Sequence, residues 1–579
     1  MQLFRSFLPF QNPIGFGAAD FIELALALLL VVMVVVRPRL QPYATRFAER
    51  TGWCMLLLAI LPVALRLALL THHPIPAPNV SDDFSYLLVA DTLRHFRLAN
   101  PPHPLPQFFE TFFALQDPTY SSIFPIGQGL ALAVGWTMFG TPWAGVALSI
   151  GAFCALCYWM LRAWVSPEWA LAGGLLAAIQ FGPLSQWMNS YWGGGVSATA
   201  GCLVYGALPR ISEGGRPRDA ILLGFGLGLQ MLTRPFEFAL LALSVILYFV
   251  LVPRGTMELR ALSKAAAIAA IAILPAITLT LLHNKQVTGS GTTLPYMLSR
   301  YQYGVPATFT VQPNPVPHRE LTPLQKLDYE LQEAVHGKGT ETMGSYLNHL
   351  AYRVRFYRFF FLAPLYLALP FFLPNLREFR YAWVALTLVI FAAGTTFYPY
   401  FYSHYIAAGT CLFVLVSLVG IERLSRLTIR GVPAGHEAAR LLVFLCAAHF
   451  VFWYGLHLFE PQGITEAMIH YETWDVINRD DPDGRITVNH DLANAPGQQL
   501  VFVRYWPQHR FEEWVHNAAD IDGSRVVWAR DLGPEENEKL RRYYPNRTAW
   551  LLEPDDRPPK LVPYKSESTS ETQGLTTPR

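Results

Sequence analysis

Charge is what this chain has least of. Asp, Glu, Lys and Arg make up 15% of its 579 residues, where an ordinary globular protein carries about 25%. The shortage is concentrated in long apolar runs, and hydrophobic residues reach 52%. That pattern argues against a soluble multidomain chain and for a polytopic α-helical membrane protein. The net charge of +2 leaves no basic footprint for nucleic acid. Cysteine is absent outside the apolar runs: Cys54, Cys154, Cys157, Cys202, Cys411 and Cys446 all lie within them. Such thiols read as small core residues rather than a disulfide framework. A cleavable leader is also missing, because the first run, 21–36, is followed by arginines and not by a small-residue cleavage site. No internal repeat stands out.

What is present is a series of about twelve apolar segments, near 20–36, 52–71, 143–163, 171–187, 196–212, 219–233, 236–252, 264–282, 355–374, 381–397, 406–421 and 440–458. Each approaches the ~20 residues that cross a bilayer, tilt and snorkelling ends absorbing the difference. Arginines orient them. Loop 37–51 (Arg37, Arg39, Arg46, Arg50), loop 209–218 (Arg210, Arg216, Arg218), loop 253–264 (Arg254, Arg260, Lys264) and loop 422–440 (Arg423, Arg426, Arg430, Arg440) are placed in the cytoplasm. The segment Phe124–Gly140 is short and carries Pro125, Gly127, Gln128 and Gly129. Counting it as a span would invert the arginines at 210–218, so it is read as re-entrant or surface-lying. The expected layout is a membrane domain over 1–458 with outer loops 72–142 and 283–353. A small α/β extracytoplasmic domain follows over 459–564, with strands near 500–505, 525–529 and 547–552 and a helix near 535–543. A Ser/Thr-rich disordered tail over 565–579 completes it. Loop 283–353 has no obvious structure of its own.

The chemistry-bearing residues fall on the outer side of this layout. Asp82 and Asp83 follow a span directly, at the start of an amphipathic stretch in which Tyr86, Val89, Ala90, Leu93 and Phe96 recur at helical spacing. Ser81 is the expected N-cap, and the helix is expected to lie on the membrane surface. First-turn carboxylates favour a helix dipole, which accounts for one or both aspartates but not for the long loop around them. A carboxylate at a membrane face is also a candidate general base. Arg234, in Thr233-Arg-Pro-Phe-Glu237, suits a phosphate because guanidinium offers a planar fork of donors, with Glu237 to position it. A helix hairpin with a proline turn is the plainer reading. Asn189-Ser-Tyr191-Trp192-Gly-Gly-Gly195 reads first as a flexible turn with interfacial aromatics. His404 and Tyr405 belong to an aromatic stretch suited equally to sugar stacking and to the interface. Arg353, Arg355 and Arg358 suit phosphate or lipid headgroups.

With these motifs in view, the chain resembles the GT-C superfamily of integral-membrane glycosyltransferases. It stands near the protein O-mannosyltransferases and lipid A aminoarabinose transferases and their Rgt-like bacterial branch. The resemblance rests on Asp82-Asp83 with Tyr86, on Phe124-Pro-Ile-Gly-Gln-Gly running to Phe139-Gly140, on the Tyr191-Trp192-Gly segment and on Arg234-Pro-x-Glu237, within residues 55–250. It implies inverting transfer of a hexose or pentose (EC 2.4 type) from a polyprenyl-phosphate carrier to a hydroxyl acceptor on lipid, polysaccharide or protein. The site would lie on the periplasmic or extracellular face of a bacterial inner membrane. It also implies Asp82 as general base, Asp83 as its orienting neighbour or an acceptor ligand, and Arg234 at the carrier phosphate. Glu237, Arg353, Arg355 and Arg358 join the donor side. Tyr86, Tyr191, Trp192, His404 and Tyr405 are the acceptor or sugar contacts. Phe124 replaces a lysine of the aminoarabinose-type enzymes, and Ser190–Gly193 lacks their aspartate, so the donor sugar and a divalent metal stay open. A flippase, transporter or ligase of lipid-linked glycans is the competing reading. The transporter is disfavoured by the absence of repeat halves.

Overall fold

The computed structural model describes residues 18–36, 41–214, 216–252, 259–337, 341–459, 477, 481, 483–509 and 512–565. The tail expected to be disordered, and Arg37, Arg39 and Arg254 of the basic loops, lie outside these residues, Lys565 apart.

The chain is a helical membrane protein. Helices Ala18–Val36, Thr51–Ala68, Pro142–Leu161, Pro167–Gln180, Gly195–Ser212, Pro217–Thr233, Pro235–Leu251, Leu259–Thr288, Phe379–Thr395, Thr410–Ser425 and Ala434–Phe459 stand at eleven of the expected apolar segments. Among the described residues five stretches are long and apolar enough to cross a membrane: Thr51–Ala68, Pro142–Leu161, Arg260–Thr288, Ser403–Ser425 and Ala434–Phe459. Several helices begin on proline, at 142, 167, 217 and 235. Proline lacks an N–H that the first turn leaves unpaired anyway, and its fixed φ suits that position.

The expected helix at 355–374 is not continuous. It is a chain of short 3-10 and α turns, Val354–Phe360, Ala363–Leu367, Leu369–Phe372 and Leu373–Arg377. Pro364, Pro370 and Pro374 each remove an amide donor and restart the turn, although the run is apolar after Arg358.

Three of the basic loops, 37–51, 209–218 and 422–440, meet at one end. The Tyr158 hydroxyl donates to the Ala48 carbonyl at 2.7 Å, and Arg380 Nη2 to the Ala163 carbonyl at 2.8 Å. Arg162, Arg210, Glu213, Glu378, Glu422 and Arg426 line one cavity of about 500 Å³ there.

Helix Ile126–Phe139 keeps both ends at the opposite end. At 14 residues it reaches about 21 Å. Gly127 near its start abuts Leu232 and Thr233. After its C-terminal turn, the Trp143 indole donates to the Met188 carbonyl at 2.9 Å and lies under Arg66. Thr233 and Arg66 close their helices on the same side, which fits the re-entrant or surface-lying reading.

Helix Ser81–Arg94 departs from expectation in two ways. Its N-cap is Val80, and Ser81 is the first helical residue with no capping bond. The Asp83 carboxylate reaches back instead and accepts from the Asn79 amide at 3.2 Å. The helix is also enclosed rather than laid on a surface. Tyr86 and Ala90 pack into the membrane-domain core, while Leu88 packs with Phe108, Phe109 and Tyr120 against Leu500, Phe502, Val527 and Leu540 of the C-terminal domain. Phe96 lies past the helix end, fully exposed at φ 56°.

Residues 72–142 carry a small ribbon, β1 (Ala114–Leu115) against β2 (Ser121–Ser122). Loop 283–353 holds three helices of its own, Pro295–Tyr303, Pro323–His336 and Met343–Arg353. The C-terminal sheet comprises β3 (Gln499–Val503), β4 (Val526–Arg530), β5 (Thr548–Glu553) and β6 (Lys560–Pro563) in the order β4-β3-β5-β6. The first three are parallel and β6 is antiparallel to β5. Helix Pro534–Tyr543 makes the crossover from β4 to β5, as a parallel pair requires.

Candidate active site

The site forms where the start of helix Ser81–Arg94 meets the turn before helix Gly195–Ser212 and the join between helices Pro217–Thr233 and Pro235–Leu251. Each piece is placed by backbone constraint. Arg234 is both the last cap of one helix and the first of the next, at φ −148° and ψ 90°. Pro235 forbids it the helical region, so the guanidinium emerges at the join rather than along a helix face. The Tyr191 turn is fixed by glycines at positive φ, 98° at Gly193 and 136° at Gly194. A Cβ at Gly194 would enter the Trp187 ring, and one at Gly193 would meet Gln128. These glycines serve close packing. The turn's polar contribution is its backbone: the Tyr191 N–H donates to Asp83 Oδ1 at 2.9 Å. Gln128 Nε2 steadies the turn on the Tyr191 carbonyl at 3.0 Å, and the Tyr191 hydroxyl donates to the Pro76 carbonyl at 2.8 Å.

The adjacent aspartates therefore differ. Asp83 is buried, and the Tyr191 and Asn79 amides occupy its two oxygens. Asp82 is half-buried, and among the described residues no other residue donates a hydrogen bond to its carboxylate. Burial pushes the Asp82 carboxyl up to about 7, with the Asp83 charge adding to the rise and Arg234 opposing it. Burial also raises Asp83, to about 6; the amides of Tyr191, Asn79 and Val80 and the cation of Arg485 hold it lower. The two titrate as a pair, so each value belongs partly to its neighbour.

Around Asp82 the expected partners converge. Arg234 Nη1 lies 3.3 Å from Glu237 Oε1, and its guanidinium is 4.8 Å over the Tyr405 ring. Tyr405 stands 4.8 Å from His404, and His404 5.4 Å from Trp192. Tyr86 stacks on Phe124 at 4.4 Å. Aspartate, arginine and aromatic rings thus gather at one end of the helices.

The three other arginines do not join this group in the same way. Arg353 is buried and donates to the Thr395 carbonyl at 2.7 Å and to the Tyr398 carbonyl. It closes the end of helix Phe379–Thr395, a usual role for a cation at a helix C-terminus. Arg358 is buried, and the side chain of Arg355 lies outside the described residues. Among the described residues no three His, Cys, Asp or Glu side chains gather to hold a metal ion.

Two participants were not singled out in the sequence. Arg66 is wholly buried and donates to Asn189 Oδ1 at 2.8 Å and to the carbonyls of His73 and Pro74 at 3.0 and 2.8 Å. It joins the chain entering the aspartate loop to the Tyr191 turn; an arginine in a spanning segment was the available signal. Arg485 comes from the C-terminal domain, and nothing local in the sequence marks it.

No family model and no curated protein matches the chain. Among solved structures it is similar to ArnT from Cupriavidus metallidurans in the apo state, at 12% identity over 87% of this chain and 93% of that one, with a TM-score of 0.47. The same protein bound to undecaprenyl phosphate matches at 13% identity over 87% and 93%, also at 0.47. The Archaeoglobus fulgidus oligosaccharyltransferase in apo form matches at 14% identity and a TM-score of 0.42, over 79% of this chain and 62% of that one.

Proposed function

We propose that the protein is a membrane glycosyltransferase that moves a sugar from a polyprenyl-phosphate carrier to a hydroxyl acceptor on the non-cytoplasmic face, with inversion. The observation that carries this reading is the asymmetry of the aspartate pair. Asp83 accepts an amide on each oxygen, while among the described residues no other residue donates to Asp82, whose charge faces Arg234. A general base must be free to take a proton, and it works best with a pKa near the working pH.

In the proposed reaction the acceptor O–H gives its proton to Asp82. The acceptor oxygen attacks the anomeric carbon on the face opposite the phosphate. The bond from that carbon to the phosphate oxygen breaks, its electron pair stays on the phosphate, and Arg234 meets the charge that develops there. Fixed donors aimed at developing charge in a water-poor site supply much of a transferase's rate. Trp192, His404, Tyr405 and Tyr86 form the aromatic wall for the sugar or acceptor. The carrier's tail stays in the bilayer, since each buried methylene holds it by about 0.8 kcal/mol. Chemistry at the membrane edge follows from that constraint.

The test is direct. Purified protein given a panel of undecaprenyl-phosphate hexoses and pentoses, with envelope lipid, polysaccharide or protein as acceptor, should release undecaprenyl phosphate with at least one donor. Silence across the panel, with the protein folded, contradicts the assignment.

A further inference from the structure

The C-terminal domain reaches into the aspartate loop through one side chain. Arg485 begins helix Arg485–Asn494 and is 2% exposed. Its Nη2 donates to the Glu513 carbonyl at 2.7 Å and to Asn79 Oδ1 at 3.4 Å. Its guanidinium lies 4.0 Å over the Trp514 ring and 5.1 Å over the Phe84 ring. His516 stacks on Phe84 at 4.1 Å. The Glu513 amide donates to the Asn79 carbonyl at 2.9 Å, Asn79 Nδ2 donates to Asp483 Oδ2 at 3.4 Å, and Val80 forms a bridge with Glu512. Asn79 and Phe84 bracket the aspartates, so the domain grips the loop on both sides of the pair.

We propose that Arg485 is a positioning residue. It clamps the Asn79–Phe84 loop to the C-terminal domain, so that Asp83 keeps its amide partners and Asp82 stays in the site only while that domain is docked. A domain anchor alone needs no buried cation. Among the described residues Nε and Nη1 of Arg485 have no hydrogen-bond partner, and a buried guanidinium left so carries a penalty that nearby charge must offset. Glu513, Glu512 and Asp483 face it from its own side, and its field also falls on Asp83. The charged and titratable groups facing the pair are few. Asp82 meets Asp83, Tyr86, Arg234 and Tyr405; Asp83 meets Asp82, Tyr191 and Arg485. The role in turnover rests on the transferase reading above; the clamp itself does not.

The experiment compares full-length wild type with Arg485→Met and Arg485→Lys in detergent. Hydrogen exchange at 79–84 should quicken about tenfold in Arg485→Met, with β3 and β4 unchanged. Without the Arg485 cation Asp83 ionises less readily and repels Asp82 less, so the acid limb of undecaprenyl phosphate release should move to lower pH in Arg485→Met and return towards wild type in Arg485→Lys. Unaltered exchange at 79–84 in Arg485→Met overturns the clamp, and an unmoved acid limb overturns the electrostatic role. If β3 and β4 also exchange faster, Asn79→Ala decides. It leaves Arg485 and the sheet intact, and faster exchange at 80–84 supports the clamp while none overturns it. If wild type releases no undecaprenyl phosphate from any donor, the transferase reading fails and exchange alone judges the clamp.

Discussion

The Tyr191 amide donates to Asp83 Oδ1 at 2.9 Å across 108 residues of sequence. That bond ties the turn before one helix to the first turn of another. It also separates the two carboxylates into one that holds the backbone and one that stays available.

The first consequence is a pH profile. Burial and the neighbouring Asp83 charge raise the Asp82 carboxyl to about 7. A base acts in its ionised form, so kcat/KM should rise tenfold per pH unit below about 7 and level off above it. Asp83→Asn removes the like charge, which makes Asp82 easier to ionise, so the acid limb should shift to lower pH. A pH series of kcat/KM on both proteins checks the sign.

Arg234 yields a second. A phosphate leaving group bound by a guanidinium loses a charge-assisted contact in Arg234→Met, which is about 1.5–3 kcal/mol. Turnover should fall by roughly 10- to 100-fold. Arg234→Lys should recover part of it, since the charge returns but the planar fork over Tyr405 does not. Steady-state kinetics of the three proteins test this.

Stability should respond to Asp82 with a definite sign. Its folded pKa, about 7, stands above the ordinary aspartate value of 3.8. The folded state therefore binds the proton more tightly. Wild type loses stability as pH rises from about 4 to 7, and above 7 the full penalty remains. Asp82→Asn escapes it. Discounted for partial exposure, the variant should be more stable at pH 8 by about 1–2 kcal/mol. The gain should vanish near pH 4, as thermal melts in detergent at the two pH values would show.

Gly194 tests the packing account of the glycine run. At φ 136°, with the Trp187 ring where a Cβ would sit, Gly194→Ala combines backbone strain with overpacking. The expected loss is about 2–4 kcal/mol, seen as a lowered melting midpoint with the Tyr191 turn displaced from Asp83. Gly140→Ala is the comparison: its φ is 75° with open space around it, so strain alone should lower the midpoint by less.

Much of this was legible because membrane segments announce themselves. Apolar runs show where helices lie, and counting along them brings Asp82, Tyr191, Arg234 and His404 to one end. The failures share a cause. The run at 355–374 is apolar enough to span, but three prolines divide it into short turns. Helix Ser81–Arg94 shows the spacing of a surface helix, yet a separate domain covers its outer side. Arg485 lies 406 positions from Asn79, and no local pattern encodes a contact made by docking. The glycines mark Asn189–Gly195 as a turn, but its use as an amide donor to Asp83 depends on tertiary placement.

The central claim is that Asp82, and not Asp83, takes the acceptor's proton. It is tested most directly by single-turnover release of undecaprenyl phosphate from a lipid-linked sugar by wild type, Asp82→Asn and Asp83→Asn, beside equilibrium binding of undecaprenyl phosphate. General-base catalysis is worth about 10²- to 10⁴-fold. Asp82→Asn should lose that much while binding the lipid as wild type does, and Asp83→Asn should lose less at its own optimum pH. Release by Asp82→Asn at the wild-type rate would contradict the account.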